Sequence, residues 1–344
     1  MTPAVRSRSA NVAKRPASER LSLAKALNAG LRQAMRDDTK VVLLGEDVGT
    51  LGGVFRVTEG LQEEFGPGRV IDTPLAESAI VGTAIGMALR GLRPVCEIQF
   101  DGFIYPAFDQ IVSQLAKMRA RSGGILKLPV TIRVPCGGGI GAVEHHSESN
   151  EAYFCHTAGL RVVACSTPAA SYELIRAAVT CDDPVIFYEP KRRYWDSADV
   201  DLSASAGDAD CLSTARILRA GSEVTLIAYG PTVKVAVDAA AVASAEGRSV
   251  EVIDLRALSP LDVPTLAASA SRTGRVVIIH EAPMFAGLGA EISSAITEKC
   301  FYNLEAPIQR VCGYDIPYPP ARVEDQYLPE IDRVLDAIER TFAA

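Results

Sequence analysis

The segment Asp72-Thr73-Pro74-Leu75-Ala76-Glu77-Ser78 runs straight into the apolar stretch Ala79 to Leu89. One carboxylate, Glu77, therefore stands at the entrance of an apolar helix, and its nearby polar residues are small. Burial penalises a carboxylate anion, so a carboxyl group in such a setting holds its proton more tightly. It can then share or donate that proton near neutral pH. The alternative is a purely structural first-turn carboxylate that complements the helix dipole. Three further stretches carry chemistry-bearing side chains: Gly45-Glu46-Asp47, Gln99 to Phe103, and the loop Cys136 to Gly141 that runs into Glu144-His145-His146-Ser147. That glycine-rich loop reads as a mobile element delivering a histidine to a site.

Other chemistries fit less well. The glycines form neither GxxxxGK nor GxGxxG between strand and helix. Adjacent His145 and His146 point apart in an extended chain, and His156 and His280 share no ligand spacing with them. No GxSxG elbow is present, and Cys136 lacks a cysteine-protease signature. Gly82 and Gly86, at helical i and i+4, mark close approach of another backbone.

The elements that must position these residues alternate. A helix over 21–36 precedes a strand at Val41 to Leu44, and a second strand at 69–73 feeds the Glu77 helix. A third, 94–100, precedes a helix with apolar spacing at Phe108, Ile111, Val112, Leu115 and Met118, with Pro106 in its first turn. Strands at 128–135, 160–165 and 185–188 follow, with a helix over 169–179. This pattern predicts α/β architecture, with helices on both faces of a parallel sheet and ligands at the carboxyl ends of strands. Between Trp195 and Cys211 apolar residues nearly vanish, and a linker is placed at 195–212. A second α/β unit, 213–344, has strands at 224–228, 250–255 and 275–280, and a final amphipathic helix over 328–342. The chain thus divides into a basic tail (1–20), a first domain (21–194), the linker and the second domain.

With 344 residues, 48% apolar and 22% charged, the chain can bury two full cores. Its net charge of -7 and the lack of basic runs after residue 20 argue against nucleic acid or an anionic membrane as partner. The run Ala79–Leu89 is too short to span a bilayer. Eight cysteines without zinc or redox spacing indicate a reducing compartment. Arg6, Arg8, Lys14, Arg15 and Arg20 against one acid, Glu19, give either an organellar transit peptide or a short tail. The cytoplasm is the expected location, with the mitochondrial matrix as the alternative.

Seven motifs then fall in register: Gly45-Glu46-Asp47-Val48, Asp72 to Glu77, Glu97 to Phe100, Phe108 to Ile111, Val252 to Arg256, His280 to Pro283 and Leu304 to Pro307. Together they resemble the beta subunit of the decarboxylating component of 2-oxo acid dehydrogenase complexes, over roughly residues 20 to 344. Within that family, Gln99-Phe100 to Gln110 and His145-His146-Ser147 most resemble the branched-chain type. The resemblance implies two doubly wound domains, a thiamine-diphosphate-binding pyrimidine domain and a transketolase C-terminal-like domain. It implies thiamine diphosphate as cofactor, with Glu77 hydrogen-bonding a ring nitrogen of the aminopyrimidine.

It further assigns Glu46, Leu75, Gln99 and Phe103 to the cofactor pocket, Phe103 standing where relatives often have Tyr. His146 matches a histidine assisting acyl transfer to a lipoyl arm. A monovalent cation, potassium the candidate, is assigned mostly to backbone oxygens of Leu128, Val130, Thr131, Ala178, Cys181 and Asp183. The family's Gly-Asp-Gly motif with a downstream Asn, which holds diphosphate through magnesium, has no match, because Gly207-Asp208 is followed by Ala209. The resemblance therefore implies an alpha subunit supplying the magnesium site in an alpha2-beta2 heterotetramer, docked on a lipoyl acyltransferase core. The expected reaction is oxidative decarboxylation of 3-methyl-2-oxobutanoate and related branched-chain 2-oxo acids. The alternatives are a pyruvate or acetoin dehydrogenase beta subunit, or a non-catalytic docking subunit.

Overall fold

A computed structural model of the chain describes residues 18–203 and 209–343. The expectations for residues 1–17 and for Gly207-Asp208 lie outside the described residues. The chain opens with β1 (Ser18–Ser22) and α1 (Leu23–Asp37), whose first turn is capped by the Ser22 hydroxyl accepting from the Lys25 N–H. Then come β2 (Val41–Gly45), α2 (Leu61–Phe65), β3 (Val70–Asp72), α3 (Glu77–Leu89) and β4 (Arg93–Glu97). The helix expected after β4 begins instead as a 3-10 stretch, Asp101–Ala107, which contains Pro106. It continues as a π-helical turn, Gln110–Leu115, before α4 (Ala116–Arg121). The apolar spacing survives this change, since Ile111 and Leu115 are fully buried. The first unit is completed by β5 (Thr131–Cys136), α5 (Glu151–Cys155), β6 (Arg161–Ala164), α6 (Pro168–Thr180) and β7 (Val185–Pro190).

The stretch read as a linker carries β8 (Ser197–Asp201), which pairs antiparallel with β1, Arg20 facing Asp199. Beyond it lie β9 (Arg216–Arg219), β10 (Val224–Ala228), α7 (Thr232–Ala245), β11 (Val250–Asp254) and β12 (Ala257–Ser259). The chain closes with α8 (Val263–Thr273), β13 (Val276–Pro283), α9 (Leu288–Cys300), β14 (Gln309–Gly313), α10 (Glu324–Tyr327) and α11 (Ile331–Phe342).

The larger sheet has the order β12-β6-β7-β5-β4-β2-β3 and the smaller β14-β13-β10-β11-β9. Both are parallel except at one edge, where β12 and β9 run antiparallel to their neighbours. Helices cover both faces of such a sheet, so its strands bury every residue: β2, β5, β7, β10 and β11 do so from end to end. One edge strand, β12, comes from the second unit and completes the sheet of the first. Among the described residues no helix is long and apolar enough to cross a membrane.

Helix α3 is not buried all round. Ile80, Val81, Ala84 and Ile85 pack into the core, whereas Ala79, Thr83 and Gly86 face solvent. The backbone approach expected at Gly82 and Gly86 does not occur within this chain. A Cβ at Gly82 would meet only Gln110 Cγ at 3.9 Å, and one at Gly86 would meet nothing within 4 Å. The close approach is at Gly30 instead, where α1 crosses α6 and a Cβ would lie 2.4 Å from Ile175 Cγ2.

Candidate functional site

Strand order in the larger sheet runs outward from β2, to β3 on one side and β4 on the other, and ligands of doubly wound sheets bind at such a reversal. Gly45 ends β2 because the β4 backbone leaves no room for more: a Cβ there would lie 2.9 Å from the Glu97 carbonyl oxygen. The next residue, Glu46, is buried, and its Oε1 has no hydrogen-bond partner among the described residues. Burial pushes its carboxyl pKa up, and the neighbouring Glu77, Asp47 and Glu97 push it further in the same direction. Gln99 reaches the same place, its Nε2 3.5 Å from the Glu46 carbonyl oxygen.

Glu77 is the first residue of α3 and 8% exposed. The N-cap position, Ala76, offers no side-chain cap, so a carboxylate in this turn faces amides that lack helical partners. The expectation of a buried carboxyl at a helix entrance matches this placement. Leu75, two residues earlier, is 80% exposed and forms a rim in this chain alone.

An aromatic wall stands beside these groups. The Phe100 and Phe103 rings meet edge-on at 5.6 Å, and His146 lies edge-on to both, at 4.3 and 5.0 Å. Sequence reasoning had the two histidines pointing apart, but Glu144–His146 forms a 3-10 turn and brings their rings to 4.4 Å. Burial first, then the charges of His145 and Lys191, lowers the His146 pKa below the ordinary imidazole value. Its Nδ1 is buried without a hydrogen-bond partner among the described residues. A neutral imidazole with a free ring nitrogen therefore faces the aromatic cluster.

The glycine loop read as mobile is tied down. The Gly138 N–H donates to Glu281 Oε2 at 3.1 Å, and the Gly139 and Gly141 N–H groups donate to the Glu324 carboxylate at 3.1 and 2.8 Å. Backbone amides of a glycine turn form an anion-binding concavity, and here the second domain's own carboxylates fill it.

Sequence reasoning missed the charged layer beneath the site. Arg133, fully buried in the middle of β5, donates to both oxygens of Glu189 at 2.6 and 2.9 Å and to Glu97 Oε2 at 2.6 Å. Tyr194 adds a hydroxyl to Glu189 at 2.7 Å. Lys191, equally buried, donates to Asp101 Oδ1 at 2.8 Å. Burial outweighs that lysine and pushes the Asp101 carboxyl up to about 7. The available signal was a basic residue within, or just after, a strand of wholly buried composition.

The six positions assigned to a cation converge elsewhere, at the amino ends of β5 and β7. The Val130 carbonyl accepts from the Val185 N–H, and those of Leu128 and Ala178 from Val130 and Cys181. Thr131 is paired in the ladder opposite Val185. The Cys181 carbonyl accepts from Arg93 Nη1 at 3.1 Å, and the Asp183 carboxylate lies between Arg119 and Arg161.

Comparison with known proteins agrees with this anatomy. Residues 19–195 match the transketolase pyrimidine-binding domain, and residues 213–334 match the transketolase C-terminal domain. The chain is 55% identical over 95% of its length to the pyruvate dehydrogenase E1 component subunit beta of Leifsonia xyli subsp. xyli, covering 96% of that protein. It is 53% identical over 94% of its length to the 3-methyl-2-oxobutanoate dehydrogenase subunit beta of Mycobacterium tuberculosis, covering 92% of it. Among solved structures, a split-gene transketolase in an inactive beta4 tetramer superposes with a TM-score of 0.77 at 22% identity. That match covers 94% of this chain and 98% of the other, and shows the shared fold.

Proposed function

The chain belongs to the beta subunits of thiamine-diphosphate-dependent 2-oxo acid dehydrogenases, and we propose that it serves the branched-chain type. The observation that carries the cofactor reading is the pair Glu46 and Glu77 at the β2 switch point, buried beside an aromatic wall, with one carboxyl oxygen unpartnered. These residues fit a pyrimidine: carboxyl groups suit a ring nitrogen, and the Phe100 and Phe103 faces suit the ring. Thiamine diphosphate, when bound, supplies the electron sink for loss of carbon dioxide from a 2-oxo acid.

Within this proposal Glu77 holds the proton shared with the aminopyrimidine. Glu46 and Gln99 fix the polar edge of the pocket, and Phe103 and Leu75 close its apolar side. Burial matters to Glu77, because a hydrogen bond gains strength where water is excluded. His146, neutral and with one ring nitrogen free, is placed to hold or release a proton when an acyl group passes to a lipoyl arm. A companion alpha subunit would supply the magnesium-diphosphate half, in an alpha2-beta2 assembly on a lipoyl acyltransferase core. Two of the six positions assigned to a monovalent cation do not fit one, because guanidinium groups already serve the Cys181 carbonyl and the Asp183 carboxylate. No disulfide links the eight cysteines among the described residues, which suits the reducing cytoplasm.

Substrate choice has two candidates. Likeness of the Gln99–Gln110 and His145–Ser147 stretches to the branched-chain type supports 3-methyl-2-oxobutanoate. The 55% identity to a pyruvate dehydrogenase subunit supports pyruvate. Reconstitution with the companion subunit and steady-state rates on both acids decides between them. A higher kcat/KM on 3-methyl-2-oxobutanoate is expected, and a preference for pyruvate overturns the branched-chain assignment. In the same assay Glu77→Gln is expected to lower kcat by about 10²-fold or more. An unchanged rate would instead mark a docking subunit.

A further inference from the structure

Behind the His145–His146 turn, where the two domains meet, lies a cavity of about 320 Å³. Tyr105, Tyr153, Tyr318, Tyr327 and Phe285 contribute to its walls, together with two glutamates, and no Lys, Arg or His is among the described residues that line it. The two carboxylates differ in their state. Glu281 is already neutralised, by Arg192 at 2.5 Å and by the Gly138 N–H. Glu148 accepts a hydrogen bond from the Tyr105 hydroxyl at 2.5 Å and forms no ion pair among the described residues. Next to it, Ser147 is 1% exposed, and its buried Oγ has no hydrogen-bond partner among the described residues. The mouth is apolar, with Phe285 84% and Ile316 53% exposed.

We propose that this interdomain cavity binds an organic cation, an ammonium or guanidinium group carried on an apolar stem. The charge sits beside Glu148, and the stem lies against the tyrosine rings and Phe285. Three physical arguments converge on that chemistry. Aromatic faces attract a cation and repel an anion. A neutral apolar guest would desolvate the Glu148 carboxylate, whose hydrogen bond from Tyr105 carries no compensating charge. A charged head on a hydrocarbon stem satisfies both the walls and the mouth. The volume falls at the lower end of the range for small-molecule sites, which suits one such group rather than a large cofactor. The guest could be a free amine or a Lys or Arg side chain inserted by a partner subunit, since the head and stem are the same in both. This site is separate from the thiamine reading and stands without it.

The test titrates the full chain with phenethylammonium and with n-butylguanidinium, using 2-phenylethanol as the neutral control, and reads binding by saturation-transfer NMR. Saturable binding of the cations is expected, with the alcohol weaker by about tenfold or more. Glu148→Gln is expected to reduce cation binding to the level of the alcohol. Phe285→Ala, at an exposed position that leaves folding intact, is expected to weaken cation and alcohol alike. No saturable binding at millimolar cation overturns the proposal. So does equal binding of the alcohol, or binding that neither substitution changes. Repeating the titration on the complex with the companion subunit identifies the source. Continued probe binding marks a free amine, while loss of probe binding, with a crosslinker at position 285 capturing a basic segment of the companion, marks an inserted side chain.

Discussion

Arg133 is the residue on which the floor of the site rests. Its guanidinium holds Glu97, at the end of β4, and Glu189, near the end of β7, in one buried cluster. Such a cluster adds little net stability over an apolar replacement of all its members, but removal of one member leaves bare buried charge. Arg133→Met should therefore cost about 3–5 kcal/mol, read as a fall in the urea midpoint at pH 7. The deficit should shrink as pH falls, because burial already pushes the Glu97 carboxyl up and protonation removes the uncompensated anion. A second residue-scale prediction concerns His280, buried in β13. Its Nδ1–H donates to the Ala282 carbonyl at 3.0 Å, and its Nε2 accepts from the Gly289 N–H at 3.2 Å. Burial lowers its pKa from 6.5 to about 4. The folded state thus prefers the neutral ring, so this group's contribution is complete above pH 6.5 and is lost as pH falls toward 4. The full loss amounts to about 3 kcal/mol. Denaturant titrations of wild type and His280→Asn at pH 7 and pH 4.5 should show that the variant lacks this part of the acid sensitivity. Parallel pH slopes would refute the assignment.

At the scale of elements, α1 and α3 each carry a glycine with the opposite consequence. Gly86 sits within α3, has an ordinary helical conformation and has no neighbour within 4 Å of a Cβ. Gly86→Ala should stabilise the isolated chain by about 0.5–1 kcal/mol through helix propensity alone. Gly30→Ala should destabilise it by about 1–3 kcal/mol, because the new methyl would overlap Ile175 where α1 crosses α6. Thermal melts of the two variants should move in opposite directions. These helices also show how far the sequence could be read. The chain's alternation of buried strands and helices, the placement of Glu46 and Gln99 just beyond strand ends, and that of Glu77 at a helix start are set by local pattern and were legible. Which glycine is crowded was not, because crowding at Gly30 depends on a helix well over a hundred residues away. The side-by-side histidines were hidden because a 3-10 turn at Glu144–His146 leaves no periodic trace. Arg133 and Lys191 were passed over because a basic residue in, or just after, a buried strand has meaning only once its carboxylate partners on distant elements are known. The strand inside the 195–212 stretch was missed for a similar reason: β8 exists through pairing with β1, not through apolar content of its own.

At the scale of the molecule, two sequence units have become one packed body. A single apolar cluster joins residues of the first sheet, such as Ile132, Tyr188 and Val162, to Ile227, Ile253 and Leu258 of the second unit. Buried polar contacts cross the same seam. The Tyr229 hydroxyl donates to Glu151 at 2.5 Å, Ser166 bonds Asp254, and Arg192 pairs with Glu281. Strand β12 goes further and lends the second unit's backbone to the first unit's sheet. Separation of the units would expose that apolar seam and leave Glu151 and Asp254 without their hydroxyl donors, so neither unit should survive the unfolding of the other. Calorimetry of the isolated chain should accordingly give one transition whose van't Hoff and calorimetric enthalpies agree. Tyr229→Phe removes the donor while keeping the ring. It leaves Glu151 buried with one partner fewer and should lower stability by about 1–3 kcal/mol without splitting the transition. Two resolved peaks in the unsubstituted chain would show that the seam is an interface between independent domains and not part of a shared core. The glycine loop beside His146 would then be anchored to a separable partner, since its amides are held by Glu281 and Glu324 of the second unit.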